Sequence, residues 1–279
     1  MKLKVLVDNN TLIDRYFQGE PGVSFFIEDG STKILFDVGY SSLVIENAFK
    51  MGINLLNLDF VVLSHGHLDH TWGLDPLVRL ITEAKIEGID HKMPTLVAHP
   101  DALLSRKVSG LEEIGSLLSE EKLSRHFEMA LCRDPFWLTD RLVFLGEIER
   151  ENDFEAKRPL GTISTEGGEE DDFLMDDSAL AYRSTDGLVI VSGCSHSGIC
   201  NIVEQARRIL SESRVLDVVG GFHLMDPPER QMRETLRYFE RLRPREVHAC
   251  HCTDLESKVA LAEVATLKEV GVGLDLEFD

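Results

Sequence analysis

Short apolar segments, separated by polar residues and glycines, dominate the first third of the chain. They are rich in Val, Ile, Leu and Phe and predict β-strands over residues 3–8, 24–29, 33–39, 59–65 and 95–100. The sequence EDGST between the second and third of these predicts a hairpin turn with Gly30 in a left-handed conformation. Apolar residues at helical spacing predict helices over 41–52 and 76–86.

The pattern changes twice in the remainder of the chain. Residues 111–127 have the spacing of an amphipathic helix, and the acidic, glycine-rich residues 161–177 predict a loop or lid. From residue 178 onward, strands predicted over 179–184, 187–193, 216–223, 246–251 and 272–278 alternate with helices predicted over 201–213, 229–242 and 255–270. This order predicts an α/β protein of two packed sheets with outer helices, a single domain over 1–279 with a helical and acidic insert around 100–175.

Histidines follow the predicted strands at four places. Six of the ten histidines lie at these strand ends, namely His65, His67, His70, His196, His223 and His251. Loops that leave a rigid sheet carry catalytic and binding groups more often than the sheet itself does. Imidazole and carboxylate together are ligands for Zn²⁺, and also for Fe²⁺ or Mn²⁺. The pattern therefore predicts a metal site where the strand ends meet.

The densest part of this pattern is SHGHLDH, residues 64–70. His65 and His67 can face one ion, while Asp69 and His70 follow on a tight turn and can face a second. Gly66 is expected to permit the sharp bend. Two divalent ions, most simply zinc, would activate water and stabilise the charge that develops on a reacting oxygen.

SHGHLDH matches the HxHxDH signature of the metallo-β-lactamase superfamily, which the chain resembles over most of its length. It is similar in particular to the branch of 7,8-dihydropterin-6-methyl-4-(β-D-ribofuranosyl)aminobenzene 5′-phosphate synthases. The similarity is carried by VLVDNN, LFDVG, VVLSHGHLDHTWGL, VAHPDA, LVIVSGCSHSGICN, VVGGFHL and HACHCT. This resemblance implies an αββα sandwich of two mixed sheets with a dinuclear metal site along one edge.

The resemblance also implies individual roles. His65 and His67 would bind the first metal, Asp69 and His70 the second, and His251 would complete the second set. Asp37 would orient a metal ligand by a hydrogen bond and would not bind the metal itself.

The other predicted site residues lie later in the chain. His196 is our preferred further ligand of the first metal, and Cys194, Asp176 and Asp177 remain open as replacements for a missing ligand. His223 could be a ligand, a general acid or a donor to substrate phosphate, and we favour the donor roles. Asp69 and His223 are the candidate catalytic residues.

Several other residues carry weaker expectations. Leu68, Trp72 and Asp254 depart from the branch pattern and predict an altered pocket wall. His99 could line the pocket or be structural, and Asp8 with Asn9 could reach the site edge or cap a turn. We expect His91, His126 and His248 to be ordinary surface or core residues.

The charge balance narrows the range of partners. A formal net charge of −20 disfavours nucleic acid and anionic membranes, whose binding rewards clustered Lys and Arg. Neither a leader sequence nor an apolar segment of membrane-spanning length is apparent, and the five cysteines show no disulfide spacing, which predicts a cytoplasmic protein. Arg106, Lys107 and Arg158 are the candidate cations for a phosphate group.

These observations predict a dinuclear metal-dependent hydrolase or transferase that acts on a phosphorylated or ester-containing small molecule. A reaction like that of the pterin and ribofuranosyl aminobenzene phosphate synthases is included in this prediction. The alternatives are a di-iron redox protein and a non-enzymatic metal-binding sensor. The oligomeric state stays open.

Overall fold

The computed structural model describes residues 1–279 and contains two large β-sheets with helices on their outer faces. The strands are β1 Lys2–Val7, β2 Ser24–Asp29, β3 Thr32–Phe36, β4 Phe60–Val62, β5 Thr95–Ala98, β6 Arg106–Lys107, β7 Glu128–Leu131, β8 Phe136–Trp137, β9 Leu142–Phe144, β10 Thr162–Thr165, β11 Gly168–Asp171, β12 Ala179–Arg183, β13 Leu188–Ser192, β14 Val215–Gly221, β15 Glu246–Cys250 and β16 Asp275–Glu277. The helices are α1 Leu43–Lys50, α2 Leu68–Thr71, α3 Leu74–Glu87, α4 Glu120–Leu123, α5 Ile199–Leu210, α6 Glu229–Leu242 and α7 Leu255–Val264. No helix is both long enough and apolar enough to cross a membrane.

Each large sheet combines antiparallel and parallel strands. The first has the order β16-β1-β2-β3-β4-β5-β7, in which β3, β4, β5 and β7 run parallel. The second has the order β15-β14-β13-β12-β9-β8, in which β13, β14 and β15 run parallel. Parallel strands end at the same edge of their sheet. The loops after β4, β13, β14 and β15 can therefore share one location.

Apolar side chains fill three layers. One cluster lies between the sheets and includes Phe25, Phe36, Phe144 and Val191. A second packs α1 and α3 against the outer face of the first sheet, and a third packs α5 and α6 against the second sheet. The predicted αββα sandwich of two mixed sheets is confirmed.

The helix predicted over residues 111–127 is wrong, because only Glu120–Leu123 forms α-helix there. The Glu113 carboxylate accepts hydrogen bonds from the backbone N–H groups of Arg106 and Gly115, at 3.0 and 2.6 Å, and from the Ser105 hydroxyl. These bonds fix a turn in place of a helix. Side-chain bonds to the backbone compete with the helical ladder in this way.

The loop predicted over residues 161–177 contains a β-hairpin. Strands β10 and β11 pair from Thr162 with Asp171 to Thr165 with Gly168, and β10 also pairs with β6. All four residues of β11 are exposed, so this strand lacks the apolar alternation that would have predicted it. At the other end of the chain, α7 stops at Val264 and not at residue 270, because the following segment pairs with the edge of β15 through Leu267 and Val247.

The small hairpin sheet is tied to the rest of the molecule by a buried arginine. The fully buried guanidinium of Arg106 lies 2.8 Å from a carboxylate oxygen of Asp172 and 2.8 Å from one of Asp176. The second oxygen of Asp176 accepts a hydrogen bond of 2.8 Å from the N–H of Gly66. Arg106 is therefore a structural ion-pair partner, and its predicted role as a phosphate-binding cation is wrong.

Gly66 is required by this packing and not by its backbone angles. A Cβ atom at Gly66 would lie 2.0 Å from Nη1 of Arg106 and 2.4 Å from the carbonyl oxygen of Ala102. Lys107, the other candidate cation, is exposed and pairs with Glu169 on β11.

The variant Arg106→Met should lose about 3–5 kcal/mol of unfolding free energy, because two buried carboxylates would lose their counter-charge. Urea denaturation followed by circular dichroism measures this loss. The control Lys107→Met removes an exposed ion pair of the same strand and should leave the unfolding midpoint nearly unchanged. Equal midpoints for the wild type and Arg106→Met would contradict this assignment.

Candidate metal centre

All the histidines predicted from strand ends meet at one edge of the sandwich. His65, His67 and His70 follow β4, and His196, His223 and His251 follow β13, β14 and β15. Their rings lie in contact across the two sheets, and His65 and His70 are fully buried. Asp69, on the short helix α2, lies in the same cluster.

Three imidazoles form the first donor group. The ring centroids of His65, His67 and His196 are 4.7, 4.7 and 4.8 Å apart. Nε2 of His67 and Nε2 of His196 are buried and have no hydrogen-bond partner in the protein. Burial lowers the pKa of all three rings, that of His67 to about 4, so they are neutral at pH 7 and present lone pairs.

The second donor group contains Asp69, His70 and His251. Oδ2 of Asp69 lies 3.7 Å from Nε2 of His70 and 3.3 Å from Nε2 of His251. Although burial acts in the opposite direction, Asp69 and Asp37 raise the pKa of His70 to about 9. This part of the site therefore stabilises positive charge, which a divalent cation would supply in place of the proton.

Cys194 lies between the two groups. Its Sγ is 3.4 Å from Nε2 of His70 and 3.2 Å from Nε2 of His251. Its Sγ also lies within 4.8 Å of donor nitrogens of His65 and His196. Unpartnered imidazole nitrogens, a buried sulfur and a carboxylate form a donor set that fits zinc or iron.

A second layer of hydrogen bonds holds these donors in place. Asp37 accepts bonds of 2.7 Å from Nδ1 of His70, from the N–H of Ser64 and from the hydroxyl of Ser64. Nδ1 of His251 lies 3.1 Å from Oδ1 of Asn9. Such contacts fix the tautomer of a metal-binding histidine.

Asp8 and Ser64 lie beside the metal-binding histidines. Asp8 accepts a hydrogen bond from the His251 N–H at 2.9 Å and another from the Asn10 N–H, so it both reaches the site edge and caps a turn. Ser64 was not predicted, although its position directly before His65 was a usable signal.

Asp176 and Asp177 support the site from outside the donor groups. Asp176 binds Gly66 and Arg106, as described above, and thereby holds the loop of His65 and His67. Asp177 accepts hydrogen bonds from the N–H and the hydroxyl of Ser197, beside His196.

Four residues at the strand ends adopt left-handed backbone conformations. Asp37, Ser195, His223 and His251 have φ values of 56°, 62°, 51° and 48°. Non-glycine residues seldom adopt such angles, and they concentrate at functional sites where surrounding contacts hold them. The turns direct these side chains back toward the centre, and the sequence gives no sign of them.

A cavity of about 390 Å³ opens beside the donor groups. His196, His223 and Ser195 lie in its wall, together with Lys157, Arg158, Phe154 and Phe173. Nδ1 of His223 is buried and has no partner in the protein.

Leu68, Trp72 and Asp254, at which we expected an altered pocket wall, do not line this cavity. Trp72 donates a hydrogen bond to the Gly115 carbonyl and stacks on Tyr40, whereas Asp254 caps α7.

Two further histidines have structural contacts. His99 is fully buried and lies 3.2 Å from Glu147 and 2.9 Å from Arg133, outside the cavity. Nδ1 of His248 lies 3.0 Å from Oδ1 of Asp217 between the sheets.

The αββα sandwich and the clustered donors together define a metal-binding protein of a known class. The family model of the metallo-β-lactamase superfamily matches residues 18–211, and the chain belongs to this superfamily. The resemblance stated from the sequence is thus confirmed.

Two curated relatives come from Methanocaldococcus jannaschii. One is its 7,8-dihydropterin-6-methyl-4-(β-D-ribofuranosyl)-aminobenzene-5′-phosphate synthase, which is 31% identical over 274 residues, covering 92% of this chain and 89% of the relative. The other is an uncharacterized protein, 28% identical over 263 residues and covering 94% of each chain.

Solved structures agree with this placement. Tm1679, described as a metal-dependent hydrolase of the β-lactamase superfamily, superimposes with a TM-score of 0.83 at 26% identity over 100% of both chains. A diphosphatase from the PhnP family has a TM-score of 0.54 at 18% identity over 100% of this chain and 98% of the other, which shows the shared fold alone.

Replacing Asp37 by Asn should weaken zinc binding about 10–100-fold, because the carboxylate that orients His70 would be lost. Competition with a chromophoric chelator measures the affinity. The control Asp59→Asn removes a carboxylate that pairs with Lys92 on the surface and should leave the affinity unchanged. An unchanged affinity in Asp37→Asn would show that this contact does not support binding.

Proposed function

We propose that the protein is a dinuclear metal-dependent hydrolase or transferase acting on a phosphorylated small molecule. The observation that carries this proposal is the pair of donor groups, side by side, next to a cavity with Lys157 and Arg158 in its wall. Membership of the superfamily supports metal dependence.

In this proposal His65, His67 and His196 hold one divalent ion, and Asp69, His70 and His251 hold the other. Zinc fits the donors best, with iron or manganese as alternatives. When bound, two such ions supply Lewis acidity toward a phosphoryl or carbonyl oxygen and a water molecule activated for attack.

The protein supplies the remaining functions through its own side chains. Asp37 and Asn9 orient His70 and His251, so the ligands keep their geometry during turnover. His223 lies in the cavity wall, with its ring centroid 4.2 Å from that of His196. From this position its imidazole can donate a proton or a hydrogen bond to the leaving oxygen.

The cavity favours a substrate with an anionic group and an apolar ring. Arg158 is exposed at the cavity wall, and the ammonium group of neighbouring Lys157 donates to the Asn152 carbonyl at 2.7 Å. On a chain of net charge −20 these are local cations that can attract phosphate. Phe154 and Phe173 offer aromatic surface nearby.

The similarity to the pterin-pathway synthase favours a transferase reaction as the second form of this proposal. That relative's name specifies a product with a pterin, an aminobenzene ring and a ribose phosphate. A substrate of this kind would combine the anionic and aromatic features that the cavity accommodates. The metals would then bind and polarise phosphate groups.

As-purified protein should contain two divalent ions per chain by elemental analysis, and it should hydrolyse members of a panel of phosphomonoesters and phosphodiesters. Asp69→Ala should lower kcat/KM at least about 100-fold, because it removes a donor and its charge from the second group. The matched control Asp75→Ala removes a surface carboxylate that pairs with Arg79 and should keep full activity.

Other results of this experiment would point elsewhere. Full activity in Asp69→Ala, or no metal under any loading, would contradict the proposal. Iron content with O₂ consumption would favour a redox protein, and a metal-loaded but inactive sample would favour a sensor.

Arg158→Gln should raise KM for a phosphorylated substrate about tenfold with little change in kcat, because a charge-assisted hydrogen bond to phosphate would be lost. Steady-state kinetics measure both constants. The control Arg125→Gln removes a surface arginine that pairs with Glu121 and should change neither constant. Equal KM values for wild type and Arg158→Gln would exclude Arg158 from substrate binding.

A further inference from the structure

Cys194 lies between the two donor groups and can join either of them. It can join His65 and His196 in one set and His70 and His251 in another, with the donor atoms of each set within 4.8 Å of one another. Its side chain is buried in the space between them. A single sulfur atom therefore lies where two neighbouring cations would both reach it.

The backbone around Cys194 is built to place the sulfur this deeply. A Cβ atom at Gly193 would lie 2.1 Å from Oγ of Ser64 and 2.7 Å from Oδ2 of Asp37, so only glycine allows β13 to end this close to the first sheet. Ser195 then turns the chain with φ at 62°, which returns His196 to the same site.

The distances match metal coordination. A tetrahedral zinc ion with Zn–S near 2.3 Å and Zn–N near 2.05 Å separates its sulfur and nitrogen ligands by about 3.5 Å. The observed separations of Sγ from Nε2 of His70 and of His251 are 3.4 and 3.2 Å.

The hydrogen bonds of both histidine rings direct Nε2 toward Cys194. Nδ1 of His70 faces Asp37 and Nδ1 of His251 faces Asn9, which leaves a lone pair on each Nε2 when the rings are neutral. Both Nε2 atoms lie within 3.4 Å of Sγ of Cys194, and Oδ2 of Asp69 lies 3.3 Å from Nε2 of His251. A cation bound at this point would take the place of the protons that these donor atoms share.

We propose that Cys194 binds both ions through Sγ as a bridging thiolate, and that this ligand makes the site selective for thiophilic ions such as zinc, iron and cobalt over manganese and magnesium. The inference rests on the proposed dinuclear site. On binding, the thiol proton passes to solvent and the sulfur lone pairs form the two new bonds. Thiolate ligands favour softer ions, whereas carboxylate and water favour manganese and magnesium.

The test uses Co²⁺ as a probe of sulfur ligation in the full-length protein. Metal-free protein titrated with Co²⁺ should develop a near-ultraviolet sulfur-to-cobalt charge-transfer band that grows through two equivalents. Growth that stops at one equivalent would overturn the bridge, and two bound ions without the band would overturn any sulfur ligation. Failure to bind Co²⁺ or Zn²⁺ would instead refute the dinuclear site itself.

Cysteine variants show which sulfur atom produces the charge-transfer band. Cys194→Ser should abolish it, whereas Cys132→Ser, which changes a thiol that belongs to neither set of donor atoms, should retain it. Cys252 lies next to Cys194, with its Sγ 3.3 Å from the Cys194 carbonyl oxygen, and Cys252→Ser should also retain the band. A band that survives in Cys194→Ser and disappears in Cys252→Ser would overturn the assignment.

The proposed preference for thiophilic ions is tested by metal competition in a folded variant. Cys194→Asp should still bind two ions, without the band, and its preference for Zn²⁺ over Mn²⁺ in competition should fall at least tenfold. Far-ultraviolet circular dichroism confirms that each variant is folded. An unchanged preference in Cys194→Asp would contradict the proposed selectivity.

Discussion

The buried carboxylate of Asp37 is the contact on which the site depends. It lies where β3 ends and receives three hydrogen bonds, two from Ser64 and one from His70. A buried carboxylate without such partners would be costly, so these bonds fix the loop after β4 relative to the loop after β3. Gly193 brings the second sheet against the same two residues, Asp37 and Ser64. One carboxylate thus sets the separation of both sheets at this edge.

The two donor groups differ in the charge that their surroundings stabilise. The group of His65, His67 and His196 contains neutral rings, because burial and the neighbouring imidazoles disfavour their protonation. The neighbouring group contains Asp69 and contacts Asp37, and it stabilises positive charge. Within the site, the carboxylates of Asp37 and Asp69 lie behind or within the donor groups, while the cavity wall carries Lys157 and Arg158 with one acidic residue, Asp226.

The sequence predicts those elements of the fold that depend on the hydrophobic pattern of neighbouring residues. The parallel strands β4 and β13 are nearly continuous apolar runs, and histidines follow the parallel strands within a few residues, so the topology brings these histidines together. The helix expected over 111–127 is wrong because the Glu113 carboxylate accepts hydrogen bonds from the backbone of the nearby strand β6 and of Gly115, which helical periodicity does not register. The role of Arg106 was equally hidden, since its partners Asp172 and Asp176 lie 66 and 70 positions later in the sequence. Contacts of this range leave no periodic trace.

The link from Gly66 through Asp176 to Arg106 has an evolutionary consequence. The carboxylate of Asp176 contacts both Gly66 and Arg106. The hairpin segment and the metal-binding loop are therefore held in a fixed position relative to each other. An insertion or deletion between residues 107 and 175 that displaced Asp176 would also free the N–H of Gly66 between His65 and His67. Relatives can therefore exchange this region only together with compensating changes near the histidines. Among relatives, sequence changes between residues 107 and 175 should therefore occur together with changes near His65 and His67.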